Sequence, residues 1–188
     1  MIFGAKIIGL GYRMGAGKDS VADVLVRDHG FVKMSFADAL KEAVSCIFGW
    51  SRELLDDQKF KATEDPFWGM TPRAVLQRVG TDAMRNRIRS DVWVKALELR
   101  IRNYSNSQRT EPRVVITDMR FPNEVEAVKA WGGKAVQVIR PNNMLGLAVE
   151  GSASHASEHA LDDYTGWDYT LYNDGTLESL DTKVIEIL

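Results

Sequence analysis

The feature that most constrains this chain is residues 4–20, GAKIIGLGYRMGAGKDS. An apolar run (Ile7, Ile8, Leu10) leads into a glycine-rich turn at Gly11, Gly15 and Gly17, and Lys18, Asp19 and Ser20 open an apolar-periodic segment that begins at Val21. Strand, glycine loop, lysine and helix in that order form a phosphate cradle. Polyphosphate is densely negative, so the loop must turn several backbone N–H groups inward, and glycine alone lets the backbone approach closely. The helix presents its positive end to the same phosphates, and Lys18 reaches over them. Gly11, Gly15, Ala16, Gly17, Lys18, Asp19 and Ser20 are therefore the candidate phosphate-binding residues. The match to G-x-x-x-x-G-K-[ST] departs twice. Tyr12 stands at the first glycine position, unless the loop is one residue longer and starts at Gly11. Asp19 follows the lysine where a Ser or Thr usually ligates Mg²⁺, with Ser20 one place on. Either Asp19 takes the metal and Ser20 the phosphate, or Ser20 takes the metal.

Everything else must be consistent with one such core. A chain of 188 residues suits a single domain that buries ~70% of its unfolded surface. A net charge of −2 gives no field for nucleic acid or an anionic membrane. Cys46 is the only cysteine, which excludes an intrachain disulfide and a Cys-rich zinc site and suits a reducing compartment. The first apolar stretch is too short for a signal sequence, and no run reaches membrane-spanning length, so a cytoplasmic protein is expected.

The spacing predicts a helix over 18–28 stopped at Gly30, a strand over 31–36, a helix over 37–48 and a short capped helix after Ser51. Residues 58–70 read as a loop. Thr71–Pro72 reads as N-cap and first helical residue, and Thr81 and Ser90 as further caps, giving two or three helices across 71–104. This region is rich in arginine. Arg73 stands out because a helix N-terminus and a guanidinium fork can address one phosphate together. Val114–Ile116 is a continuous apolar run suited to a strand buried on both faces, ending at Asp118. An acidic residue there is the usual partner of a phosphate loop, holding Mg²⁺ or its water shell. Arg120 lies on the same rim, Pro122 opens a helix stopped at Gly132–Gly133, and 134–140 is a further strand ending at Arg140.

No lysine or arginine occurs from Asn142 through Asp181. Ser154 is expected to cap a helix carrying His155, Glu158 and His159. Two histidines four apart raise zinc, but no third ligand or HExxH order supports it, and a polar lid over a substrate is the preferred reading. A last strand over 167–172, a turn at 173–175 and a closing helix complete five βα-linked strands. The expected fold class is α/β: a three-layer α/β/α P-loop NTPase with a five-stranded, mainly parallel sheet and ligands at the strands' C-terminal ends.

The strand before the rim ends in DMRF rather than DxxG, and no NKxD or LSGGQ-like sequence is present, so GTPase and transporter-ATPase readings fall away. A small-molecule kinase remains. GKDS, TPRAVLQRVGTDAMR, VVITDMRFPNE, SHASE and YNDGT together resemble the bacteriophage deoxynucleoside monophosphate kinase family over nearly the whole chain. The resemblance implies a nucleoside monophosphate kinase-like fold and ATP-dependent, Mg²⁺-assisted phosphorylation of deoxynucleoside monophosphates. It implies one domain over 1–188, with an acceptor-binding helical insert at about 50–104 and a lid-like segment at about 141–165. It also implies a host-cytoplasmic setting, no nucleic-acid or membrane partner, and leaves a homodimer open.

By the same resemblance Lys18 binds the β/γ-phosphates, Asp19, Ser20 and Asp118 serve the metal, and Arg13 and Arg120 join Lys18 and Asp118 in transfer. Arg140 joins the donor side. Arg73 and Arg78 bind the acceptor's phosphate, with Gln77 and Asp82 near its sugar or base, Trp93 (or Phe67 and Trp68) offered for stacking, and His155 and Glu158 near a nucleotide. Two alternatives stay beside this reading: a kinase resembling those for phosphomevalonate or dephospho-CoA, and a regulatory protein that binds nucleotide without turnover.

Overall fold

A computed structural model describes residues 4–109, 111–141 and 159–188. Five strands, β1 (Lys6–Gly11), β2 (Val32–Met34), β3 (Arg113–Met119), β4 (Lys134–Ile139) and β5 (Tyr169–Tyr172), form one sheet in the order β2-β3-β1-β4-β5. Every neighbouring pair is parallel. Parallel pairing requires crossovers, and helices supply them. The chain divides into two compact units, Met1–Ser35 with Arg100–Leu188, and Phe36–Leu99.

In the first unit the residue alternation of β1 sorts the layers. Ile8 and Leu10, both fully buried, join a core with Val21, Val24 and Leu25 of α1 (Lys18–His29) and with Leu180 and Val184 of α7 (Leu177–Glu186). Gly9 points to the other face. A Cβ built there would lie 2.6 Å from the sulfur of Met119 and 3.1 Å from Val128 of α6 (Pro122–Ala130). Helices thus cover both faces of the sheet, and the small residue at Gly9 lets α6 come close. The result is the expected three-layer α/β/α arrangement. Helix α1 ends at Gly30, whose φ of 67° allows its N–H to close onto the Leu25 carbonyl. Trp167, expected in the last strand, precedes it instead; β5 starts at Tyr169.

The second unit holds α2 (Asp38–Phe48), α3 (Gln58–Ala62), α4 (Pro72–Gln77), a π-helical segment (Arg78–Arg85) and the start of α5 (Val92–Ser107). Its own core gathers Val44, Trp50, Leu55 and Val75. Phe48 and Trp50 stack at 5.0 Å, and the Trp50 indole donates to Asp65 at 2.7 Å. Three expectations need correction here. The helix expected after Ser51 is a run of turns, and the helix starts at Gln58, where the Asp57 carboxylate accepts from the Phe60 N–H at 2.6 Å. Part of the expected loop at 58–70 is therefore helical. Thr71 does cap α4, accepting from Ala74 N–H at 3.2 Å, but Thr81 lies inside continuous helical backbone and caps nothing. Cap-forming residues tolerate helix interiors, so their presence alone does not mark a start. The unit takes in the helix of residues 38–48. Most of the segment expected as a lid, with its SHASE motif, His155 and Glu158, lies outside the described residues.

Candidate functional site

The glycine loop is built by backbone angles. Strand β1 runs through Gly11, which pairs with Met119 and Gln137. The chain then turns at Tyr12, whose φ is +93°, the one non-glycine residue with positive φ among the described residues. Tyr12 therefore holds, as a tyrosine, the left-handed conformation that a glycine commonly supplies, at a cost of about 1–2 kcal/mol. Gly15 (φ 77°) and Gly17 (φ 90°) turn the rest of the loop. Gly11 is needed for another reason: a Cβ on it would sit 2.5 Å from the Trp167 ring.

Lys18 begins α1 and folds back over the loop, its Nζ donating to the Tyr12 carbonyl at 3.1 Å and the Arg13 carbonyl at 2.6 Å. Ser20 is half-buried in the same helical turn. The Asp19 side chain is 79% exposed and pairs with Lys33 of β2 at 2.6 Å. Arg13 points to a partner the sequence reading did not name. Its guanidinium meets Asp162 at 3.3 Å, and Asp162 also meets the His159 ring at 3.0 Å. The chain that follows the SHASE motif is thereby tied to the glycine loop. Burial alone would push the Asp162 carboxyl up, but the His159 ring and the Arg13 guanidinium outweigh it and hold the carboxyl below the usual carboxylate range. A lowered folded-state value gives stability present above the ordinary carboxylate range and lost as pH falls through the folded value. The tie is expected to open only as pH falls below the ordinary carboxylate range. Asp162→Asn should weaken it at neutral pH, measured as faster amide hydrogen exchange over residues 161–168.

Because β3 lies beside β1 in parallel, its C-terminal end emerges next to the loop. Asp118 sits there, and the Ser35 hydroxyl donates to its Oδ2 at 2.6 Å. Arg120 follows in the turn before α6. Glu124, 2% exposed, is the buried charged residue of this turn: its Oε2 accepts from the N–H of Arg120 at 2.7 Å and of Phe121 at 3.1 Å. The sequence signal was a Glu three residues after the helix N-cap. No three His, Cys, Asp or Glu side chains gather into a metal-holding group among the described residues. The hard oxygens of Ser20 and Asp118 suit Mg²⁺, which takes a few protein ligands and completes its shell with water and phosphate.

At the other side of β1, strands β4 and β5 end together. Arg140, Pro141, Asn173, Asp174 and Gly175 line a pocket of about 210 Å³ there.

In the second unit Arg73 occupies the first turn of α4. Its Nη2 donates to Gln58 Oε1 at 3.2 Å, and its Nε is buried without a hydrogen-bond acceptor among the described residues. Gln58 was missed because its helix was read as loop. Gln77 lies four residues on in α-helix, one turn away, and Asp82 five further on, one turn of the π-helical segment. Arg78 Nη1 contacts the Met70 sulfur at 3.4 Å. Trp93 is 7% exposed and donates its indole N–H to the Gly80 carbonyl at 2.9 Å, so its ring packs inside this unit. Trp68 belongs to the aromatic core, whereas Phe67 is 84% exposed.

Comparison with known proteins adds the following. The family profile described as deoxynucleotide monophosphate kinase matches residues 57–184. A protein of Acanthamoeba polyphaga mimivirus, provisionally assigned as a deoxynucleotide monophosphate kinase, is 35% identical over 189 residues, covering 95% of this chain and 94% of that protein. The deoxynucleotide monophosphate kinase of Escherichia phage RB69 is 32% identical over 116 residues, 62% of this chain and 44% of the phage protein. Among solved structures, TT1252 from Thermus thermophilus superposes with a TM-score of 0.51 at 20% identity, covering 97% of this chain and 95% of that one, a likeness of fold. No helix among the described residues is long and apolar enough to cross a membrane.

Proposed function

Because the chain belongs to the deoxynucleotide monophosphate kinase family, we propose that this phosphotransferase moves the terminal phosphoryl group of ATP onto a deoxynucleoside monophosphate, releasing ADP and a deoxynucleoside diphosphate. The observation that carries the proposal is the glycine loop: three left-handed residues, Tyr12, Gly15 and Gly17, directly before Lys18 at the head of α1. That backbone is shaped for a polyphosphate.

In this reading the donor's triphosphate lies in the loop, and Lys18 and the α1 N-terminus neutralise the charge on its β- and γ-phosphates. An oxygen of the acceptor's phosphate attacks the γ-phosphorus in line, the bridging bond to the β-phosphate breaks, and ADP leaves. Little covalent help is needed; position and charge carry the step. Ser20 and Asp118 would hold Mg²⁺, with Ser35 orienting the Asp118 carboxylate; the ion supplies charge to the phosphate oxygens. Asp19, committed to Lys33, is the less suited of the two candidates after Lys18. Arg120 serves the transferring group, and Arg13 does so when it leaves Asp162. Arg140 and its pocket serve the donor nucleoside. Arg73, with an unspent buried N–H, binds the acceptor phosphate, and Arg78, Gln77 and Asp82 attend the rest of the acceptor. Phage and mimivirus relatives support a role in deoxynucleotide supply within a host cell's cytoplasm.

The test is ADP release with a panel of deoxynucleoside monophosphates, phosphomevalonate and dephospho-CoA. Turnover is expected with the deoxynucleotides; turnover confined to the others, or ATP binding with no acceptor-stimulated release, would overturn the reading. Arg73→Ala should raise the acceptor KM roughly tenfold or more, since a charged fork is lost, while the KM for ATP holds. An unchanged acceptor KM would remove Arg73 from its role.

A further inference from the structure

Asn173 follows directly after β5, in the YNDGT stretch whose residues 173–175 read as a turn. Its backbone N–H donates to the Ile139 carbonyl at 2.7 Å and so extends the β4–β5 ladder by one residue. Its side-chain Nδ2 crosses to the glycine loop and donates to the Ala16 carbonyl at 3.0 Å. Ala16 is 3% exposed and lies between Gly15 and Gly17, both left-handed. A loop that turns its N–H groups toward a phosphate must turn carbonyls away from it, and a carbonyl buried there needs a donor. Asn173 supplies one. The approach is close enough that a Cβ on Gly17 would lie 2.0 Å from the same Nδ2.

The position of Asn173 is itself held. Lys183 of α7 donates to the Tyr172 carbonyl at 2.8 Å and to the Asp174 carboxylate, fixing the chain on either side. Asn173 also lines the pocket with Arg140 and Asp174. One residue therefore joins the end of the sheet, through its backbone, to the pocket and the phosphate loop.

We propose that Asn173 is a positioning residue for the phosphate loop: its amide fixes the Ala16 peptide, and with it the direction of the loop's N–H groups. The inference rests on the nucleotide-binding reading above and adds a residue to it. Asn173 acts through the loop, so its loss weakens binding of any polyphosphate there, whether or not a nucleoside is attached.

Calorimetric titration of the full chain with ATP and, separately, with inorganic tripolyphosphate tests this. Asn173→Asp keeps the shape but replaces the N–H₂ donor with an oxygen facing the Ala16 carbonyl oxygen. Both titrants are expected to bind about tenfold or more weakly, the effect of exchanging a hydrogen bond for a repulsion. The acceptor KM should stay within about twofold. If only ATP weakens, Asn173 acts by touching the nucleoside and the proposal is overturned; if neither weakens, it is overturned as well. A wild-type chain that binds neither titrant would sink the nucleotide-binding reading and this inference together, a result distinct from the other two. Should Asn173→Asp lose its thermal transition, Asn173→Ala removes the donor without the repulsion, and the same comparison decides.

Discussion

Lys18→Ala is expected to lower kcat by roughly 10²–10³-fold with every acceptor, the loss typical of removing a group aimed at developing negative charge in a water-poor site. Two jobs meet in this side chain. In the proposed mechanism its ammonium at the head of α1 neutralises phosphate oxygens, and in the structure it donates to the Tyr12 and Arg13 carbonyls and so pins the turn that Tyr12 makes at φ +93°. Lys18→Arg separates them. Its fork keeps the charge but does not reproduce the compact ammonium that reaches both carbonyls, so recovery of ATP binding with little recovery of kcat would mark the position of the charge as decisive. The measurement is ADP release at saturating acceptor, with thermal melts beside it. A kcat within threefold of wild type in Lys18→Ala would remove the loop from the chemistry. The contrast with Arg73→Ala matters here: that change should act on the acceptor alone, whereas Lys18→Ala should act whatever the acceptor.

What could be read in the sequence was what is local. The strand–loop–helix at residues 6–29 announces itself because its signal, an apolar run, three glycines and a lysine, is contiguous. The run Val114–Ile116 marked a strand covered on both faces, and all three residues are fully buried. The Thr71–Pro72 start of α4 followed from capping chemistry acting over three residues. What escaped depends on distance along the chain or on a change of helical pitch. Asn173 and Ala16 are 157 residues apart, and Asp162 and Arg13 are 149 apart; no local pattern points from one to the other. The π-helical segment escaped because a search at period 3.6 treats Thr81 as an interruption and supplies a new cap, whereas the backbone simply widens.

Glu124 supports the larger stability prediction. A carboxylate 2% exposed is costly to bury and is tolerated where hydrogen bonds repay its lost hydration. Here the Arg120 and Phe121 N–H groups converge on one oxygen at the start of α6, where the helix's positive end also favours negative charge. Glu124→Ala removes the acceptor of both donors and leaves a cavity, and should cost about 2–4 kcal/mol in denaturant unfolding. Glu124→Gln keeps a carbonyl oxygen in reach and exchanges charge-assisted bonds for neutral ones, so about 1 kcal/mol is expected. The ordering matters more than either value. Equal loss in both variants would mean that charge at the helix end dominates; equal tolerance would mean the turn holds itself. The same turn sets Arg120 two residues beyond Asp118. Glu124→Gln should therefore leave kcat nearly intact, while Glu124→Ala lowers it even at temperatures where the protein remains folded, because a stable fold with a slackened rim still misplaces Arg120, the group proposed to serve the transferring phosphate.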